Sequence, residues 1–213
     1  MQTFSVRQGI VIVDNLILTF QENKQYLSSI DGLIGDGDHG VNMNKGFTLA
    51  RAELDKNPGD LVHGLKIISK ILMTKIGGAM GPLYGKFFNA MALSFEGKEE
   101  IGINEIGESL NAVVKAIASI SPAKVGDKTL VDTLIPAATA YEKAQQEGNT
   151  FPEALQSLKA AAYEGYYSTK NMVAKIGRAS RLGERSIGVL DPGAASCFLI
   201  LETITDSILE LIN

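Results

Sequence analysis

The chain has a single cysteine, Cys197, and no tryptophan. One thiol excludes an internal disulfide and any cysteine-cluster metal site. Cys197 lies in the apolar run Ala194 to Leu201 and reads as a small buried hydrophobe rather than a reactive group. Aromatic residues make up only 7% of the sequence, so aliphatic side chains must fill most of any core. No stretch approaches the roughly 18 apolar residues that a membrane span needs. The N-terminal run Gly9 to Phe20 is broken by Asp14 and Asn15, and it lacks the basic leader and small-residue cleavage site of a signal peptide. A soluble, cytoplasmic protein without membrane contact is the resulting expectation. A basic excess is lacking too. A net charge of -4 and a pI near 5.3 argue against direct nucleic-acid binding, because phosphate backbones select basic surfaces.

What is present is ordinary for a globular chain: 45% hydrophobic and 21% charged residues over 213 positions. That length can bury a substantial core. There is no Pro-, Gly- or Ser-rich linker and no internal repeat, so one domain over residues 1–213 is expected.

The apolar spacing is helical nearly everywhere. Leu61, Leu65, Ile68 and Leu72 form one stripe on a helix of 3.6 residues per turn. Ile103, Ile106, Leu110, Val114 and Ile117 form another, and Leu201, Ile204, Ile208 and Leu211 a third. Thr150-Phe-Pro-Glu153 reads as a helix start, with Thr150 capping free amides, Pro152 in the first turn and Glu153 completing a capping box. About eight helices are expected over roughly 4–22, 25–33, 39–55, 59–76, 82–95, 103–120, 130–147 and 152–175, with a last one over roughly 192–212. One of the early pair is a candidate for a short turn instead. Gly9 to Val13 is the one run that could be a strand. The fold class expected is an all-α bundle.

Four Gly-rich connections carry Asp, Asn, Lys and Arg together: Ile34 to Gly40, Ile76 to Gly85, Val125 to Leu130, and Gly177 to Gly193. In the first region Asp31, Asp36 and Asp38 place three carboxylates within eight residues, and Gly35 and Gly37 allow the tight turn that lets them converge. Crowded carboxylates repel, and a divalent cation relieves the repulsion. An all-oxygen set suits Mg²⁺, Mn²⁺ or Ca²⁺. The spacing is not that of an EF-hand, since the twelfth position counted from Asp31 is Asn42. The alternative is a solvated Asp-Gly turn, which three aspartates followed by His39 and Asn42 make the weaker reading. His39, Gly40, Val41 and Asn42 open the next helix, whose free amides and dipole favour an anion. His63 has no such neighbours and reads as structural.

Ile76 to Gly85 holds four glycines but is neither a Walker loop nor a dinucleotide fingerprint. Bare amides facing a phosphate and close helix packing fit it equally well. Gly126-Asp-Lys-Thr129 and Gly177-Arg-Ala-Ser-Arg-Leu-Gly-Glu-Arg-Ser186 supply cations, and Asp191-Pro-Gly193 leads into the last helix. Each alone is a surface loop; with the acidic loop they make one composite phosphate site.

These segments jointly resemble the nucleotide-binding subunit of bacterial dihydroxyacetone kinases, the DhaL family. The resemblance rests on Gly35-Asp-Gly-Asp-His-Gly40 with Asn42 and Asn44, on Gly77 to Gly85, on Gly126 to Thr129, and on Gly177 to Ser186 with Asp191 to Gly193, in family order across nearly the whole chain. It implies an antiparallel eight-helix barrel with the nucleotide at one end. It further implies that Asp31, Asp36 and Asp38 hold two Mg²⁺. His39, Gly40, Val41, Asn42, Ala79, Met80, Leu130, Arg178, Asp191, Pro192 and Gly193 would line the ADP or ATP site. Met80 stands where serine is common in the family. The implied partners are DhaK, which holds dihydroxyacetone, and DhaM, which donates phosphate from a phosphohistidine. Two other roles compete: a subunit of a related ATP-dependent kinase, and a nucleotide sensor that binds a transcription regulator without catalysis.

Overall fold

In the computed structural model, which describes residues 2–213, nine α-helices account for most of the chain. They are α1 (Ile10–Glu22), α2 (Lys24–Ile34), α3 (His39–Leu54), α4 (Leu61–Lys75), α5 (Met80–Phe95), α6 (Ile103–Ala118), α7 (Val131–Gln146), α8 (Phe151–Ser168) and α9 (Pro192–Ile212). The all-α expectation holds. Helix α1 packs on α3, each helix from α3 to α9 packs on the next, and α9 returns to α1. Eight helices thus close a ring, and the short α2 sits against α3 and α9. The links Ile76 to Ala79 and Glu147 to Thr150 are too short for anything but reversal, so α4–α5 and α7–α8 are antiparallel hairpins.

Two expected boundaries shift. The first helix starts at Ile10, not near residue 4, because Phe4–Ser5 (β1) pairs antiparallel with Glu100–Ile101 (β2). Gly9 to Val13 is accordingly no strand: Ile10 opens the helix. The eighth helix ends at Ser168 and passes into a 3₁₀ turn, Thr169–Asn171. There Thr169 is fully buried, and its hydroxyl accepts the Asp191 amide at 3.0 Å, tying the end of α8 to the start of α9.

The core is mostly aliphatic, as the composition requires. Among its buried aromatics, Phe20 stacks on Phe47 at 4.3 Å and Phe88 meets Phe47 edge-on at 5.8 Å, joining α1, α3 and α5. Cys197 is fully buried in it, and burial raises its thiol pKa, which leaves it inert. The Thr150–Glu153 capping box forms, with the Thr150 amide donating to Glu153 at 2.8 Å. Pro136 lies inside α7 and cannot donate to the Asp132 carbonyl one turn back. Gly165 of α8 packs directly over that carbonyl, where any side chain would collide. Among the described residues, no helix is long and apolar enough to cross a membrane.

Candidate functional site

All four Gly-rich connections meet at one end of the ring, around a cleft of about 540 Å³. Asp31 lies in the last turn of α2, while Asp36 and Asp38 lie in the link to α3. Gly37 turns that link through a left-handed φ of 76°, which glycine adopts at no steric cost. One oxygen from each of the three carboxylates lies within 4.8 Å of the other two. Asp31 is nearly buried, and its Oδ2 accepts the His39 amide at 3.1 Å, so it also caps α3. Three hard oxygen donors that close together fit a divalent cation and offer nothing to a thiophilic one.

His39 and Asn42 line the cleft, but Gly40 and Val41 do not. Gly40 is buried against the backbone of Lys24 and Ser28 in α2, and Val41 is exposed outside the cleft. The His39 Nε2 sits 2.8 Å from the Ser196 hydroxyl, which is 2.5 Å from the Tyr84 hydroxyl. Burial lowers the His39 pKa to about 4, so the imidazole is neutral at pH 7. It therefore ties α3 to α5 and α9 instead of supplying positive charge.

The two readings of the glycine segment divide between its residues. Gly77 and Gly78 have open space on their side-chain faces and line the cleft with bare backbone. Gly81 packs on the carbonyls of Leu72 and Ile76, and Gly85 on Met73, so these two serve helix packing. Ala79, Met80 and Leu130 line the cleft, as do Asp191, Pro192 and Gly193 at the start of α9. The Asp191 carboxylate caps that helix, accepting the Ala194 amide at 2.7 Å. Burial pushes the Asp191 carboxyl up to about 7, against the pull of the Ala194 amide, with Asp132 adding to the rise and Lys128 opposing it.

The cations are arranged differently from the expectation of a shared phosphate clamp. Arg178 reaches the cleft and forms an ion pair with Asp36. Lys128 is only 1% exposed, and its ammonium donates to the carbonyls of Ser186 (2.5 Å), Val189 (2.6 Å) and Met172 (3.2 Å). It staples the long α8–α9 connection and is not free for a ligand. Its backbone is left-handed, φ 62°, and the turn is held by Asp132, whose carboxylate accepts the amides of Gly126 and Thr129. Arg185 lies away from the cleft. His63 is likewise remote, its Nε2 donating to the Asn57 carbonyl at 2.9 Å.

Tyr84, Ser121, Ala123 and Ile176 also line the cleft without having been expected there. Tyr84 carried a usable signal, since it stands in the Gly77 to Gly85 segment. The other three lie in connections whose path no periodicity describes.

Residues 33–206 match the DAK2 domain family. The chain belongs to that family. This DAK2 chain is 40% identical over 188 residues to the ADP-binding subunit DhaL of the PTS-dependent dihydroxyacetone kinase of Lactococcus lactis, covering 87% of this chain and 89% of that one. It is 35% identical over 187 residues to the ADP-binding subunit DhaL of the PEP-dependent dihydroxyacetone kinase of Escherichia coli, covering 86% and 88%. In fold it is similar to the crystal structure of the C. freundii dihydroxyacetone kinase, with a TM-score of 0.70 at 24% identity over 92% of this chain. The DAK2 chain spans only 33% of that longer kinase, and the same share of its complex with AMP-PNP and Mg²⁺ (TM-score 0.67).

Proposed function

We propose that this DAK2 chain is the nucleotide-binding subunit of a dihydroxyacetone kinase, a cytoplasmic single-domain phosphoryl carrier. It holds Mg-ADP, accepts a phosphoryl group from a phosphohistidine on DhaM, and as Mg-ATP passes it to dihydroxyacetone bound on DhaK. The observation that carries this reading is the triad of carboxylates within 4.8 Å of one another at the edge of a cleft of about 540 Å³. A cleft of that size accommodates a nucleotide.

Each lining group has a physical task. Asp31, Asp36 and Asp38 would hold two Mg²⁺, which when bound neutralise phosphate charge during transfer. Gly77, Gly78 and the first residues of α5 offer backbone amides to the phosphates, as does the amino end of α9 at Asp191 to Gly193. Arg178, although paired with Asp36, is the guanidinium that lines the cleft and is placed to balance negative charge on the transferring group. Leu130 and Met80 offer apolar contact to the base. Phosphoryl transfer depends mainly on positioning and charge, so few proton-transfer groups are needed here. The titratable side chains of the cleft have other tasks: His39 is engaged with Ser196, Asp191 caps α9, and Asp31, Asp36 and Asp38 would hold the cations. The base that deprotonates the sugar hydroxyl belongs to DhaK.

The decisive experiment follows labelled phosphate from histidine-phosphorylated DhaM through ADP-loaded protein to dihydroxyacetone. Labelled dihydroxyacetone phosphate is expected only with all three proteins present. Its absence from the complete mixture would sink the kinase reading and leave a non-catalytic nucleotide sensor.

A further inference from the structure

A second cleft, of about 570 Å³, lies on the outer side of the acidic loop. It shares Ile34, Gly35, Asp36 and Arg178 with the nucleotide cleft, so the Asp36–Arg178 ion pair stands in the wall between them. Its own lining is Leu33, Arg181 and Leu182. Leu33 is 66% exposed, unusual for a leucine at the end of a helix beside a charged loop. Arg178 and Arg181 stand three residues apart in a 3₁₀ segment, Arg178–Ser186, where side chains at that spacing eclipse. Both guanidinium-bearing side chains therefore serve one face. Arg178 is paired with Asp36, whereas among the described residues Arg181 makes no ion pair.

We infer that this outer cleft receives the phosphorylated imidazole of the donor protein, with Arg181 binding its phosphoryl oxygens. The inference rests on the carrier reading above. An unpaired guanidinium is a forked donor matched to a phosphoryl dianion. The acceptor in the second half of the reaction, a sugar hydroxyl, is neutral and gives such a cation nothing to bind. Leu33 and Leu182 present apolar surface on either side of the arginine, suited to the imidazole ring and the protein surface around it. The displacement requires the leaving nitrogen and the attacking oxygen on opposite sides of phosphorus. The phosphorus–nitrogen bond breaks with its electron pair going to the imidazole, which takes a proton from water. A phosphorus–oxygen bond forms to the terminal oxygen of ADP in the inner cleft. The phosphoryl group passes from the Arg181 cleft, across the Asp36–Arg178 wall, into the nucleotide cleft.

The test uses the full chain loaded with Mg-ADP and histidine-phosphorylated DhaM as the probe. ATP formation is measured against DhaM concentration for the unchanged protein, Arg181→Ala, Arg181→Lys and, as a control on an arginine outside both clefts, Arg185→Ala. Arg181→Ala is expected to raise the donor concentration at half-maximal rate by roughly tenfold or more, the loss of one charge-assisted contact, without releasing ADP. Arg181→Lys should recover part of the loss, and Arg185→Ala none of the effect. The inference is overturned if Arg181→Ala follows the donor curve of the unchanged protein. It is also overturned if only transfer to dihydroxyacetone on DhaK suffers, which would assign the cleft to the acceptor. No ATP with the unchanged protein would instead remove the carrier reading, and this inference with it.

Discussion

The Lys128 ammonium lies 2.6 Å from the carbonyl oxygen of Val189, 61 residues further along the chain. With the carbonyls of Ser186 and Met172 it closes the connection that carries Arg178 and Arg181 onto the start of α7. A buried ammonium is costly unless its hydrogen bonds are made, and here three carbonyls make them. Lys128→Met removes the donors and leaves three inward-turned carbonyls. Expected is a loss of about 2–4 kcal/mol, intact helical circular dichroism, and faster tryptic cleavage at Lys175, Arg178 and Arg181. Cleavage at the unchanged rate would show that the connection is held by other contacts.

Asp36→Asn or Asp38→Asn should leave the fold nearly intact, since neither carboxylate caps α3 and both are partly exposed. Each removes one charge from the triad, and retention of Mg-nucleotide should weaken. ADP per protein molecule after purification is the measurement. Unchanged occupancy in both variants would count against the metal assignment.

Asp191 sets a pH dependence. Its carboxyl binds a proton more tightly in the folded protein, at about 7, than in the unfolded chain. The resulting stabilisation is complete below the ordinary carboxylate range and is lost as pH rises through about 7. Asparagine caps a helix nearly as well and does not titrate. Asp191→Asn should therefore gain on the unchanged protein between pH 4 and pH 8, on the order of a few kcal/mol, read from urea midpoints without nucleotide. A constant difference across that range would mean the carboxylate is already ionised in the fold.

Gly40→Ala separates packing from ligand binding. The added methyl would sit 2.8 Å from the Ser28 amide nitrogen and closer still to the Lys24 carbonyl, forcing α3 off α2. A cost of about 1–3 kcal/mol is expected in urea unfolding. Weaker ADP retention with full stability would instead give Gly40 a direct ligand role.

The helices were legible because burying one stripe of a helix imposes a period that needs no knowledge of partners. Leu61 to Leu72 and Leu201 to Leu211 belong to α4 and α9 as read, and the Thr150–Glu153 signal marks the start of α8. The carboxylate cluster was legible for a similar reason: three aspartates and three glycines within eight residues must lie near one another whatever the rest of the chain does. Other features depend on contacts between distant segments. Nothing local to Phe4–Ser5 announces its pairing with Glu100–Ile101, which delays α1. Nothing in Gly126 to Thr129 reveals that the lysine turns inward to three carbonyls, since their positions depend on how residues 172–189 cross the end of the ring. The spacing of Arg178 and Arg181 is in the sequence, but only the packing of α2 beside the 3₁₀ segment makes a second cleft from it. Periodicity and local crowding therefore determined the helices and the acidic loop. The ring, the division of glycines between packing and cleft, and the choice of which cations stay free were decided by tertiary contacts, because only there do burial and hydrogen bonding compete for the same groups.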